Sequence, residues 1–483
     1  MPLSELFPSM LWRHFATICS FPHGSGQETA LRDQIKSWAE ARGLAARLDA
    51  AGNLILSKPA TAGCENRVGV ILQAHLDMVC QKNQGNPHDF LADPIVPVVE
   101  NGWVHAQGTT LGADNGIGVA AALAALESSD IAHGPLEVLL TLDEEAGMTG
   151  ARALETGDLH GKLLFNLDTE DWGELYVGCA GGLDMTVHRH VVREAISAAF
   201  VQRKISISGL VGGHSGCDIH LQRANAIRLL ARLLQDIRKQ TDLRLVKMNG
   251  GTVRNALPRE AFAVVAVPAC DANILDLLAQ VTQDQFRMEY AGVDESIRVE
   301  VSEGGNGSML RAADTQTVID LLLALPYGVR RWNHAMPDVV ETSNNIGVVN
   351  LNGEFETILM VRSLTDAGCN ELAAAIEACS RLGGAQVARG NAYPGWNPDL
   401  YSRALKVAQT VYREQYGEEA KVKVIHAGLE CGLIGDKYPR LEMVSFGPTI
   451  RNAHSPAEKV EIESVGKFWE FLKACLKAVP VAA

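Results

Sequence analysis

The sequence predicts an α/β protein with a mostly parallel sheet, interrupted by an α+β insertion of ferredoxin-like character. Three observations predict it. Short, nearly continuous apolar runs alternate with helical periodicity through the first 190 residues, the rhythm changes near Phe200, and it returns after the Pro/Gly-rich segment NAYPGWNP. Uninterrupted apolar runs of strand length suit strands covered on both faces, as in parallel sheets.

In chain order, Leu6 to Ser20 and Gln27 to Arg42 have helical periodicity, whereas Val68 to Ala74, Leu136 to Leu142 and Lys162 to Leu167 read as buried strands. The alanine-rich stretch Gly116 to Ser129 reads as a close-packed helix. From Phe200 the expected order is strand Gln202 to Ser208, helix Gln222 to Lys239, strands Leu243 to Lys247 and Ala261 to Val267, helix Ala272 to Tyr290, and strand Ser296 to Val301. That is one β-α-β-β-α-β module. A second, incomplete one follows: helix Thr315 to Leu325, strands Ile346 to Leu351 and Glu354 to Arg362, helix Asn370 to Leu382, and strand Ala385 to Arg389. Helix Tyr401 to Tyr416, strands Lys423 to Ile425 and Leu441 to Ser445, and helix Val465 to Lys477 close the chain. The expected domains are residues 1–197 with 393–483, interrupted by 198–392 as two related modules. Ligands of open α/β sheets bind at the carboxyl ends of the strands, so function is expected in those loops.

Composition narrows the partners. The 483 residues carry 43 basic and 57 acidic side chains, a formal charge of −14. Nucleic acid and anionic membranes require concentrated positive charge, so neither is expected as a partner. No uncharged apolar run approaches the roughly 18 residues of a membrane span, and the N-terminus lacks the pattern of a secretory signal. Ten cysteines occur singly, without CxxC. Reduced thiols in a cytoplasmic protein are the expectation.

Five acidic or histidine-bearing motifs recur along the chain. QAHLDMV places His75 and Asp77 two apart, on one face if the strand continues. A metal-ligating histidine gives its second ring nitrogen to such an acceptor, although a satisfied histidine beside a surface aspartate explains the pair equally well. In GTTLGADNGIGVAAAL, Asp114 precedes a helix, where it could cap the N-terminus or face a ligand. The segment matches neither GxGxxG nor GxxxxGK[ST]. TLDEEAG brings Asp143, Glu144 and Glu145 together after a buried strand, and like charges so placed need water, protons or cations. NLDTED supplies Asp168, and GPTIRNAHSPAEKV supplies His454. Two imidazoles and three carboxylates are an inventory for two divalent ions about 3.5–4 Å apart with one carboxylate bridging. Mixed nitrogen and oxygen ligation favours Zn2+, with Co2+ or Mn2+ as substitutes.

The ordered series AHLDMV, GTTLGADNGIG, TLDEEAGM, NLDTED, GGHSG, GTVRNALPRE, HAGLECG and AHSP resembles the zinc-dependent aminoacylase/carboxypeptidase superfamily of co-catalytic metallopeptidases, over nearly the whole chain. The resemblance implies a di-zinc peptidase domain with the insertion as its lid. It assigns His75 and Asp168 to one metal, Glu145 and His454 to the other, and Asp114 to the bridge. Asp77 would orient His75, and Glu144 would be the general base. In the lid, His214 would meet the substrate or its oxyanion, while Asn255 and Arg362 would hold polar atoms and the terminal carboxylate. Arginine suits that task through its planar fork.

The implied reaction is hydrolysis of unblocked dipeptides, aminoacyl-histidine and β-alanyl-histidine among them. Carboxypeptidase-like or tripeptidase-like hydrolysis and N-acyl-amino-acid deacylation share the chemistry and stay open. A homodimer also stays open, since an extended lid could mimic a partner within one chain. His426 and Glu430 are expected to be structural or at the substrate rim.

Overall fold

The computed structural model describes residues 2–305 and 307–482. Two compact units emerge: Met1–Gly178 with Trp396–Val424 and Leu429–Ala483, and Cys179–Gly395 with Ile425–Gly428. The expected outermost positions, residues 1 and 483, lie outside the described residues.

The first unit is built on an eight-stranded sheet in the order Ala45–Leu48, Leu54–Lys58, Leu136–Thr141, Val70–His75, Leu163–Asn166, Glu442–Ser445, Glu174–Cys179, Lys421–Ile425. The four central strands, Leu136–Thr141 to Glu442–Ser445, are mutually parallel. Every residue of Val70–His75, Leu136–Thr141 and Leu163–Asn166 is buried, which explains their nearly continuous apolar runs. Helix Ala113–Glu127 packs against Val70–His75 and helix Ser9–Cys19. Its small residues permit that closeness: a Cβ on Gly116 would lie 3.1 Å from the Phe15 ring of helix Ser9–Cys19. After Val70–His75 the chain adds Leu136–Thr141 on one side and then Leu163–Asn166 on the other. The strand ending at His75 is therefore the switch point of the sheet, where crevices open in such folds.

The second unit contains one nine-stranded sheet. Strands Phe200–Ser208, Arg244–Gly250, Ala261–Pro268 and Arg298–Glu303 form a β-α-β-β-α-β module with spatial order fourth, first, third, second. The neighbouring module, expected to be incomplete, has all four strands. Gly181–Arg189 supplies its first strand, followed in the fold by Val340–Leu351, Phe355–Ser363 and Gln386–Tyr393 in the same spatial order. The sequence lists this strand ahead of the other module, so the helix–strand order from Thr315 onward lacks it. Because Gly181–Arg189 pairs with Phe355–Ser363 and Gln386–Tyr393, the contact boundary falls at Gly178/Cys179. The two modules join through Arg244–Gly250 and Val340–Leu351.

Candidate metal centre

His75 ends its strand with 2% of its surface exposed. Its Nδ1 lies 3.0 Å from the Asp77 carbonyl and 3.4 Å from the Asp77 carboxylate. That leaves Nε2 facing Asp114 Oδ1 at 3.2 Å and Asp168 Oδ1 at 3.3 Å. Asp77 also accepts from Ser25 Oγ and from the backbone N–H groups of Glu144 and Glu145, at 2.7, 2.9 and 3.0 Å. One buried carboxylate thus orients the histidine and anchors the turn carrying both glutamates. Burial opposes its charge, yet the bonds from His75 and Ser25 hold it down to about 2.

Asp114 does not cap its helix. Its φ of −85° and ψ of 107° depart from helical values, and its carboxylate spans two histidines: Oδ2 is 3.0 Å from His454 Nε2. The loop's own N–H groups are satisfied by Glu458, which accepts from Leu111, Gly112, Ala113 and Asp114 at 2.7–3.3 Å. An anion there meets the unpaired donors of a helix start. Asn115 Nδ2 donates to the Leu167 carbonyl, tying this loop to the strand end that bears Asp168. His454 Nε2 also lies 2.9 Å from Glu145 Oε1. Asp143 and His454 have φ of 56° and 62°, a left-handed conformation that costs non-glycine residues energy.

Ligand atoms of His75, Asp114 and Asp168 lie within 4.8 Å of one another, as do those of Asp114, Glu145 and His454. Asp114 belongs to both sets. A third set joins His75, Glu144 and Glu145. The buried oxygens Glu145 Oε1 and Asp168 Oδ1 lie near imidazoles without the alignment of a hydrogen bond. Burial raises Glu144 well above the carboxylate range, reinforced by Asp168, Glu145 and Glu430, and raises Asp168 to about 6. The Asp114 and Glu145 carboxylates beside it push His454 up to about 11. Like charges packed this closely call for positive charge among them, which a divalent cation would supply. The mixed imidazole and carboxylate donors fit zinc-type ligation.

The second unit holds the remaining expected residues. Arg362, 4% exposed, directs Nε toward Ser215 Oγ at 3.3 Å and Nη1 toward Tyr393 Oη at 3.1 Å. His214 Nδ1 accepts from the N–H groups of Gly216 and Cys217, which puts its proton on Nε2. That nitrogen stands 3.3 Å from Arg362 Nη2, donor facing donor. Burial, with Arg362 adding to it, lowers His214 to about 4. Among the described residues no carboxylate pairs with Arg362, so the two groups converge on space suited to an anionic oxygen. The turn depends on Gly216, whose Cβ would fall 1.9 Å from the His426 carbonyl oxygen. Asn255 is exposed and its carbonyl accepts from Ser215 N, placing it beside the same turn.

His426 bonds Ser343 Oγ at 2.8 Å within the second unit, whereas Glu430 is wholly buried in the first. Four contributors were not read from the sequence as site groups: Ser25, Gln73, Glu458 and Tyr393. Ser25, Glu458 and Tyr393 lie far along the chain from the residues they touch, and Gln73, inside the first motif, reads only as part of a strand.

The model of the family described as Peptidase family M20/M25/M40 matches residues 71–478. The chain is 46% identical over 480 residues to the cytosol non-specific dipeptidase of Escherichia coli (strain K12), covering 99% of each. The crystal structure of aminoacylhistidine dipeptidase from Vibrio alginolyticus superposes with a TM-score of 0.91 at 46% identity, covering 100% of this chain and 99% of that one. An aminopeptidase from Bacillus cereus shares the fold at TM-score 0.56 and 17% identity, covering 98% and 99%.

Proposed function

The chain belongs to peptidase family M20/M25/M40, and on that premise we propose that it hydrolyses unblocked dipeptides, Xaa-His dipeptides among them, at a two-zinc centre. The observation that carries this reading is Asp114, shared by two ligand sets each completed by one histidine and one further carboxylate. His75 and Asp168 would hold one ion, Glu145 and His454 the other, with Asp114 between them. Co2+ or Mn2+ would suit the same donors. When bound, the ions lower the pKa of the attacking water and polarise the scissile carbonyl.

Glu144 takes the proton from that water and delivers it to the leaving amine, a role that its burial beside like charges suits. Asp77 keeps His75 oriented and Glu144 fixed through its backbone N–H. In the lid, His214 offers Nε2–H to the developing oxyanion and Arg362 reads the terminal carboxylate, with Asn255 adding a polar contact. Cysteines without disulfides among the described residues and the absence there of any helix long and apolar enough to cross a membrane are compatible with a cytoplasmic enzyme.

The 46% identity to two dipeptidases supports dipeptides over the longer or blocked substrates. The test is a screen of metal-defined enzyme against free dipeptides, tripeptides and N-acetyl amino acids. Turnover concentrated on free dipeptides is expected; preference for N-acetyl amino acids would replace this reading with deacylation.

A further inference from the structure

Beneath the candidate ligands the parallel sheet carries a layer of polar side chains where its core is otherwise aliphatic. Ser445 Oγ donates to Asn166 Oδ1, Asn166 Nδ2 donates to Gln73 Oε1, and Gln73 Nε2 donates to Glu430 Oε2 at 2.6 Å. Thr141 Oγ1 donates to the same Glu430 oxygen at 2.6 Å. All five residues have 0% exposure. The donors run in order from Ser445 through Asn166 and Gln73 to Glu430, and Gln73 Nε2 also reaches Thr141 Oγ1 at 3.2 Å.

The chain links all four parallel strands. Gln73 lies two residues before His75, Asn166 two before Asp168 and Thr141 two before Asp143, and Ser445 ends the strand leading toward His454. Residues two apart in a strand share a face, so Gln73 sits one pleat below His75. Glu430 begins helix Glu430–Lys437, outside the motifs that supply ligands, and its Oε1 is buried without a hydrogen-bond partner. Buried polar chains are costly unless satisfied, and four leucine or valine side chains would fill a parallel sheet without that cost. The gain is directional: hydrogen bonds fix lateral register between strand ends, which apolar packing alone leaves adjustable.

We propose that Glu430 is a positioning residue, the common acceptor of a directed hydrogen-bond chain that holds the four ligand-bearing strand ends in register for metal binding. The proposal rests on reading those strand ends as the metal centre. Groups that orient ligands from behind are typically worth about 10- to 100-fold in metal affinity.

The experiment measures zinc affinity by competition with a chromophoric chelator, alongside kcat and KM, for the full-length chain and the variants Glu430→Leu, Glu430→Gln and His75→Ala. Glu430→Leu should weaken zinc binding about 10-fold and lower kcat with little change in KM. Glu430→Gln keeps an acceptor oxygen for Gln73 and Thr141 and should recover most of the loss. Unchanged zinc affinity in folded Glu430→Leu, or equal losses in both variants, would overturn the proposal. If Glu430→Leu does not fold, Thr141→Val removes one of the two donors and reads the same quantity, with unchanged affinity again the contrary result. His75→Ala separates the two readings: if it leaves zinc stoichiometry intact, the metal-centre reading itself fails.

Discussion

The two units hold clusters of opposite electrical character. In the first, Asp77, Asp114, Glu144, Glu145 and Asp168 crowd around two histidines, and buried carboxylate oxygens stand without donors. In the second, Arg362 and His214 Nε2–H converge without an acceptor carboxylate among the described residues. The first cluster suits cations and the second an anion. The proposed function gives each cluster its own role, so each makes a separate prediction about which chemical change disables it.

The largest expected effect lies in the acid-rich cluster. Glu144→Gln should lower kcat by about 10²–10⁴-fold with metal content unchanged, because the amide cannot accept the proton while Glu145 keeps its oxygen. Metal analysis and turnover of the same purified sample check it; near-normal turnover would remove Glu144 as base. In the cation-rich cluster, Arg362→Ala should cost about 2–5 kcal/mol in kcat/KM for free dipeptides and far less for their C-terminal amides. An unchanged ratio between dipeptide and amide would pass the carboxylate-reading role to another residue.

Removing metal should act on the first unit's stability. A ligand bound only by the native state at 100 times its Kd stabilises it by about 2.7 kcal/mol, so chelation should lower the thermal midpoint and zinc should restore it. Calorimetry with and without chelator measures this. The smallest effect concerns support alone: Glu458→Ala leaves backbone donors of the Asp114 loop unsatisfied and should cost about 1–3 kcal/mol of stability. Equilibrium unfolding of the variant gives that number, and a loss confined to activity would show that the loop holds itself.

The acid-rich cluster was largely legible because its residues sit in short motifs at the ends of apolar runs, and strand ends at a switch point converge. His75, Asp114, Glu145, Asp168 and His454 do come together. What escaped was non-local. Gln73 and Asn166 sat inside strand runs, where a single polar residue gives no sign of its cross-strand partner. Glu458 received no reading, although it accepts from four backbone N–H groups. Gly181–Arg189 belongs to a module whose other strands lie more than 150 residues away, so local order made that module look incomplete. Sequence periodicity reports which face of an element is buried, and pairing partners that distant leave no trace in it.

Anomalous diffraction from crystals of the zinc-loaded enzyme tests the central claim most directly. The account predicts two zinc peaks about 3.5–4 Å apart, one contacted by His75 and Asp168, the other by Glu145 and His454, with Asp114 touching both. A single peak, or peaks away from Asp114, would contradict it.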